Sequence, residues 1–176
     1  ALGLMSGTSM DGVDASLITS DGFNEFSNIL DEYHEYNNNL HLELVELRNL
    51  IINPHDLDKQ SKTIKEMERK LTFFHGEIVK KIKSKYKLDI DFVGFHGQTI
   101  FHKPQILISK QLGDGNLLSQ ITKTNVVFDF RQEDIKNSGQ GAPLTPIFHE
   151  LLSRVIFSKY KILSLIHISE PTRRKR

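Results

Sequence analysis

Residues 6–14, Ser6-Gly7-Thr8-Ser9-Met10-Asp11-Gly12-Val13-Asp14, crowd two glycines, three hydroxyls and two carboxylates between apolar runs. Glycines let backbone N–H groups come close to an anion, and Thr8 and Ser9 add hydroxyl donors, so this composition suits a triphosphate. Asp11 and Asp14 can hold Mg²⁺ there, directly or through water. The same letters also describe an ordinary glycine-rich hairpin turn. The string is neither a Walker loop, which needs Gly-Lys-Ser/Thr, nor a Gly-x-Gly-x-x-Gly dinucleotide turn.

Three further groups can bind a polar ligand. His96-Gly97-Gln98-Thr99 offers an imidazole, an amide and a hydroxyl, the donors and acceptors that a sugar needs in fixed directions. A buried histidine bonded to a carbonyl, with Gln98 and Thr99 as turn residues, has the same signature. Asp129, Arg131 and Asp134 follow an apolar run; the guanidinium can grip a carboxylate or phosphate in bidentate fashion, or pair with a neighbouring aspartate to fix the loop. The segment 137–143, Asn-Ser-Gly-Gln-Gly-Ala-Pro, contains Gln140 and leads towards a helix start, where free N–H groups favour anions. His96 and His102 are six apart, without helical spacing or a nearby carboxylate to make a metal pair.

The elements that position these groups alternate between strand and helix. Residues 3–19 read as strand, tight turn and strand. Residues 40–52 read as a helix ended by Asn53-Pro54. Ile64, Met67, Leu71, Phe74, Ile78, Ile82 and Tyr86 recur at steps of three and four and predict one long helix over residues 61–86. Residues 91–95 read as a strand ending at Gly97, with 99–102 continuing it across the turn. Strands are expected at 106–112 and 125–130, separated by a short helix to Ile121 that Asp114 caps. A last helix is expected over 145–157, with Pro146 in its first turn. This order indicates an α/β domain, and it puts the His96 and Asp129 groups at strand ends, where open α/β sheets present ligand-binding residues.

At 176 residues the chain has the length of one domain and can bury a substantial core. With 38% hydrophobic and 26% charged residues it is globular rather than disordered. The absence of cysteine excludes disulfides and thiolate metal sites. No run approaches the roughly 18 apolar residues of a membrane span, and the first residues lack a signal-peptide pattern; a cytoplasmic protein is expected. The formal charge of +1 hides an uneven distribution. Residues 1–163 carry 19 basic and 21 acidic side chains, whereas 164–176 end in Arg173-Arg174-Lys175-Arg176. The body therefore offers no basic surface for nucleic acid.

The string Gly3 to Asp14 closely resembles the N-terminal signature of the anhydro-N-acetylmuramic acid kinases, cell-wall recycling enzymes of the actin-like sugar kinase superfamily. Gly94-Phe95-His96-Gly97-Gln98-Thr99, Asp129-Phe130-Arg131-Gln132-Glu133-Asp134 and Gly139-Gln140-Gly141-Ala142-Pro143-Leu144 agree with it in order. The resemblance covers residues 2–163 and implies the N-terminal lobe of an actin-like ATPase, a ribonuclease-H-like α/β fold with a mixed sheet and flanking helices.

It also implies an ATP- and Mg²⁺-dependent kinase that converts 1,6-anhydro-N-acetylmuramic acid and water to N-acetylmuramic acid 6-phosphate. By that likeness Gly7, Thr8, Ser9, Met10, Asp11, Gly12, Val13 and Asp14 meet ATP, with Asp11 on the Mg²⁺ side. His96, Gln98, Thr99, Arg131, Asp134 and Gln140 meet the amino sugar, and a homodimer is implied for the full-length family. The water-activating carboxylate of these kinases belongs to an Asp-x-Gly-Pro-Gly-Asn segment of a second lobe, which this sequence lacks. The chain alone is therefore expected to be inactive. A non-catalytic nucleotide-binding module and another actin-like phosphotransferase are the alternatives. After Leu163 the family pattern is lost, so residues 164–176 are expected to be foreign to the fold.

Overall fold

In the computed structural model, which describes residues 1–23, 25–143 and 148–149, the N-terminal hairpin consists of β1 (Leu2–Met5) and β2 (Gly12–Ser20). Strand β3 (Phe26–Glu35), which the sequence reading did not anticipate, extends it by pairing antiparallel with β2. Helices α1 (Asn38–Leu50), α2 (Pro54–Lys59) and α3 (Ser61–Tyr86) follow. Next come β4 (Phe92–Phe95), β5 (Gln98–Lys103), β6 (Ile108–Leu112), α4 (Gly115–Thr122), β7 (Asn125–Phe128) and α5 (Gln132–Lys136).

The main sheet has the order β3-β2-β1-β4-β7. Strand β1 is antiparallel to β2 on one side and parallel to β4 on the other, and β7 adds parallel to β4. A mixed five-stranded sheet with flanking helices is compatible with the N-terminal lobe of an actin-like ATPase. Strand β5 does not continue β4 across the turn at Gly97 as expected. It forms a separate two-stranded sheet with β6. The strand expected at 106–112 begins only at Ile108, after a 3-10 turn at Pro104–Ile106. The strand expected at 125–130 stops at Phe128, where Asp129 takes φ +61° and the extended conformation cannot continue.

Helix α3 forms over the span its periodicity predicts. One stripe, Ile64, Met67, Leu71, His75, Val79 and Ile82, is buried against the sheet residues Leu2, Leu4, Ala15, Leu17, Val93 and Phe95. Alternation along the strands leaves Gly3, Met5, Asp14 and Ser16 on the opposite, exposed face. Asn53-Pro54 does end α1, but Pro54 also starts α2, where a missing N–H costs nothing. The Asp56 carboxylate there accepts from the Ile52 and Asn53 amides at 3.1 and 2.8 Å. Asp114 caps α4 by accepting from the Leu117 amide at 2.9 Å. The helix expected over 145–157 lies outside the described residues apart from Phe148 and His149, and so does the 164–176 tail. Among the described residues no helix is long and apolar enough to cross a membrane.

Candidate functional site

Strands β1, β4 and β7 run parallel, so Ser6, His96 and Asp129 all emerge at the same carboxyl edge of the sheet. The turn between β1 and β2 leaves this edge. Thr8, Ser9, Asp11 and Asp14 are exposed along it, whereas Met10, Gly12 and Val13 are buried and Gly7 is half-buried. Met10 takes φ +59° with its side chain only 1% exposed, so the turn is pinned into the core at its middle. Gly12 is required by close approach: a Cβ there would stand 2.5 Å from the His34 carbonyl and 2.6 Å from the Tyr33 ring.

Several bonds fix the turn from beneath. The Gly7 carbonyl accepts from Gln98 Nε2 at 2.9 Å and from the Met10 amide at 3.3 Å. The Met10 carbonyl accepts from His41 Nδ1–H at 2.7 Å, and the Asp11 carbonyl from the Tyr36 amide at 2.8 Å. On the outside, Ser9 Oγ donates to Asp11 Oδ1 at 2.6 Å. That bond, ahead of the nearby Tyr33 hydroxyl, holds the Asp11 carboxyl below its ordinary range.

Directly under the turn lies a buried polar chain. Ser6 Oγ is 2.7 Å from the Tyr36 hydroxyl and 3.4 Å from His75 Nε2. His75 Nδ1 must carry the proton, because it donates to the Leu71 carbonyl at 2.8 Å. Burial pushes this imidazole down to about 4. Sequence reading missed the chain, although His75 stands four residues after Leu71 and four before Val79, on the buried stripe of α3.

His96 follows β4 and donates Nδ1–H to the Gly97 carbonyl at 2.8 Å. Its Nε2 then accepts from Arg131, with Nη2 at 2.9 Å and Nε at 3.2 Å. Arg131 Nη1 donates to the Gly141 carbonyl at 2.7 Å. The aspartate pairing open to Arg131 in the sequence is thus not what the fold makes; its partners are His96 and the 139–141 loop. Asp134 closes that loop, its Oδ2 accepting from the Gly141 amide at 2.6 Å. Gln140 is exposed. Asp129 is exposed too, and partial burial raises its carboxyl above the usual range. Thr99 is half-buried with Gln111 Nε2 at 3.4 Å, and exposed His102 faces Ser109 Oγ at 3.0 Å.

Two cavities open beside His96. One, of about 470 Å³, lies on the exposed sheet face between Met5, Asp14, Gly94, Phe130, Arg131 and Ala142. The other, of about 260 Å³, lies between Glu68, Lys110, Phe128, Asp129 and Gln132. The fold therefore brings Asp14, His96 and Arg131 around one cavity. It places Gln98 elsewhere, fully buried beneath Gly7. Among the described residues no group of three or more His, Asp or Glu side chains is placed to hold a metal ion.

The sequence profile of the anhydro-N-acetylmuramic acid kinases matches residues 1–170. The chain is 57% identical over 152 residues to the anhydro-N-acetylmuramic acid kinase of Pelagibacter ubique strain HTCC1062, an alignment covering 86% of this chain and 40% of the relative. It is 39% identical to the kinase of that name from Agrobacterium fabrum strain C58, over 87% of this chain and 42% of the relative. For the Rhodopseudomonas palustris BisB18 relative the identity is 36%, over 88% of this chain and 43% of the relative. The chain thus spans about 40% of the length of the curated relatives it matches. With the matched span running from the turn after β1 through the His96 and Arg131 groups, the chain belongs to the anhydro-N-acetylmuramic acid kinase family.

Proposed function

We propose that residues 1–163 are the N-terminal lobe of an actin-like kinase that converts 1,6-anhydro-N-acetylmuramic acid, ATP and water to N-acetylmuramic acid 6-phosphate. The observation that carries this reading is the turn after β1. It sits at the carboxyl edge of the sheet with its carbonyls bound inward and Thr8, Ser9 and Asp11 facing solvent, a surface that suits phosphate oxygens.

Mg²⁺ fits the same place. Exposed carboxylates at Asp11 and Asp14 flank the turn, and Mg²⁺ commonly takes one or two carboxylates with phosphate oxygens and water completing its shell. Bound there, it would neutralise charge on the transferring phosphoryl group. The residues of this chain orient the reactants. Ser9 orients the Asp11 carboxylate through its hydrogen bond, while His96, Arg131 and the loop closed by Asp134 present one wall to the sugar, with Thr99 and Gln140 nearby. Arg131 suits the lactyl carboxylate of the muramic acid.

Deprotonation of water is assigned to the second lobe, so the chain alone should not turn over. Residues 164–176 are placed outside the lobe, although the family match runs to residue 170; ending the chain at Leu163 should leave its melting temperature unchanged. A cytoplasmic location and a homodimeric full-length enzyme that binds no nucleic acid complete the proposal. The test joins residues 1–163 to the C-terminal part of the Pelagibacter ubique relative. The fusion should form the 6-phosphate from the anhydro sugar and ATP, and a folded fusion that binds ATP without this activity would reject the substrate assignment.

A further inference from the structure

Planar trans peptides impose a rule on the turn after β1. Each C=O points opposite to the N–H of the following residue, and no peptide bond among the described residues is cis. A carbonyl gripped from the inside therefore turns the next amide outward. The Gly7 carbonyl is gripped by Gln98 and the Met10 carbonyl by His41. The amides so turned are those of Thr8 and Asp11. The Asp11 amide does point outward, towards its own exposed carboxylate.

We propose that Gln98 and His41 are positioning residues for the phosphate turn, holding two carbonyls inward so that the Thr8 and Asp11 amides face the nucleotide. This rests on the reading of the turn given above, and it moves Gln98 from the sugar to the nucleotide side.

The character of Gln98 supports it. Its side chain is fully buried, its Nε2 reaches Gly7, and its Oε1 has no hydrogen-bond partner among the described residues. Burying an unsatisfied amide oxygen is unfavourable, and an apolar side chain of the same size would avoid that cost. Stability alone therefore does not account for an amide there; its grip on the Gly7 carbonyl does. His41 acts at the strained point. Met10 holds a left-handed conformation that disfavours any side chain with a Cβ, and the His41 bond to its carbonyl locks that geometry. The two anchors come from separate elements, the start of β5 and the first turn of α1.

The test follows the Thr8 and Asp11 amides of the ¹⁵N-labelled 176-residue chain by NMR during titration with inorganic tripolyphosphate, beside thermal melts. Gln98→Met removes the donor without burying a charge, and His41→Phe does the same on α1. Each should weaken tripolyphosphate about fivefold, the loss expected for one hydrogen bond. His41→Gln, which restores a donor, should recover affinity to within about twofold of the parent. Gln98→Met should melt no lower than the parent, because the unpaired oxygen is gone. Amides that move in the parent, with variant affinities unchanged, would overturn this proposal and leave the phosphate reading standing. Amides that do not move in the parent would overturn both. Because the two variants alter different elements, failure of one to fold leaves the other to decide.

Discussion

Arg131 rests its guanidinium on the lone pair of His96, with Nη2 2.9 Å and Nε 3.2 Å from His96 Nε2. The arrangement works only while His96 is neutral, since a protonated Nε2 would face a cation. Burial, then the charge of Arg131, holds the imidazole below its ordinary value, against the opposing bond to Gly97. Arg131→Ala should therefore raise the His96 pKa. Imidazole NMR titration of the parent and the variant measures this, and an unchanged value would mean that the pair does not form in solution.

His75 makes stability depend on pH. Its folded value of about 4 lies below the ordinary 6.5, so the folded state resists a proton that the unfolded chain takes up. The stabilisation is complete above pH 6.5 and should fall as pH drops from there towards 4, by roughly 3 kcal/mol at most. Denaturant melts across this range measure the slope. His75→Gln should flatten it.

Gly97 tests how the two sheets are joined. It takes φ +69°, and a Cβ there would run into the Leu112 carbonyl. Gly97→Ala combines backbone strain with a collision against a fixed strand, so a loss of about 2–4 kcal/mol in unfolding free energy is expected. A loss under about 0.5 kcal/mol, typical of neutral surface changes, would show that the junction relaxes easily.

Asp11→Asn separates chemistry from folding. The carboxylate is exposed, so stability should stay within about 0.5 kcal/mol of the parent. In the fusion carrying a second lobe, turnover should fall about 10²-fold with little change in sugar affinity, the pattern of an interaction made in the transition state. Steady-state kinetics beside calorimetric titration with the anhydro sugar checks both parts; an equal loss of sugar affinity would remove Asp11 from the phosphate side.

Elements with a strong period were legible in the sequence. Helix α3 carries its apolar residues in register for seven turns, and the Asp114 cap announced α4. Strand β3 was not legible, because it lies at the sheet edge and carries Asp31, Glu32, His34 and Glu35. Charged side chains protect an exposed edge and erase the alternation that marks a strand. The separate β5–β6 sheet was hidden for another reason: only the φ of Gly97 shows that the chain leaves the plane of β4. At the candidate site, the sequence offered residue types but not their directions. Nothing in a string of letters says that Gln98 turns inward to Gly7 while its neighbour His96 meets Arg131 from 35 positions away.

The central position of β1 also fixes an order of events at the ribosome. Its pairing with β2, and the addition of β3, use only the first 35 residues, so the turn can form soon after it emerges. The bond from Gln98 to Gly7 closes a separation of 91 residues, and such long-range closures come late and slowly. The nascent hairpin therefore carries a turn that Tyr36 and His41 can anchor early, through the Asp11 and Met10 carbonyls, while the Gly7 carbonyl waits for Gln98 until the whole of α3 and β4 has been synthesised.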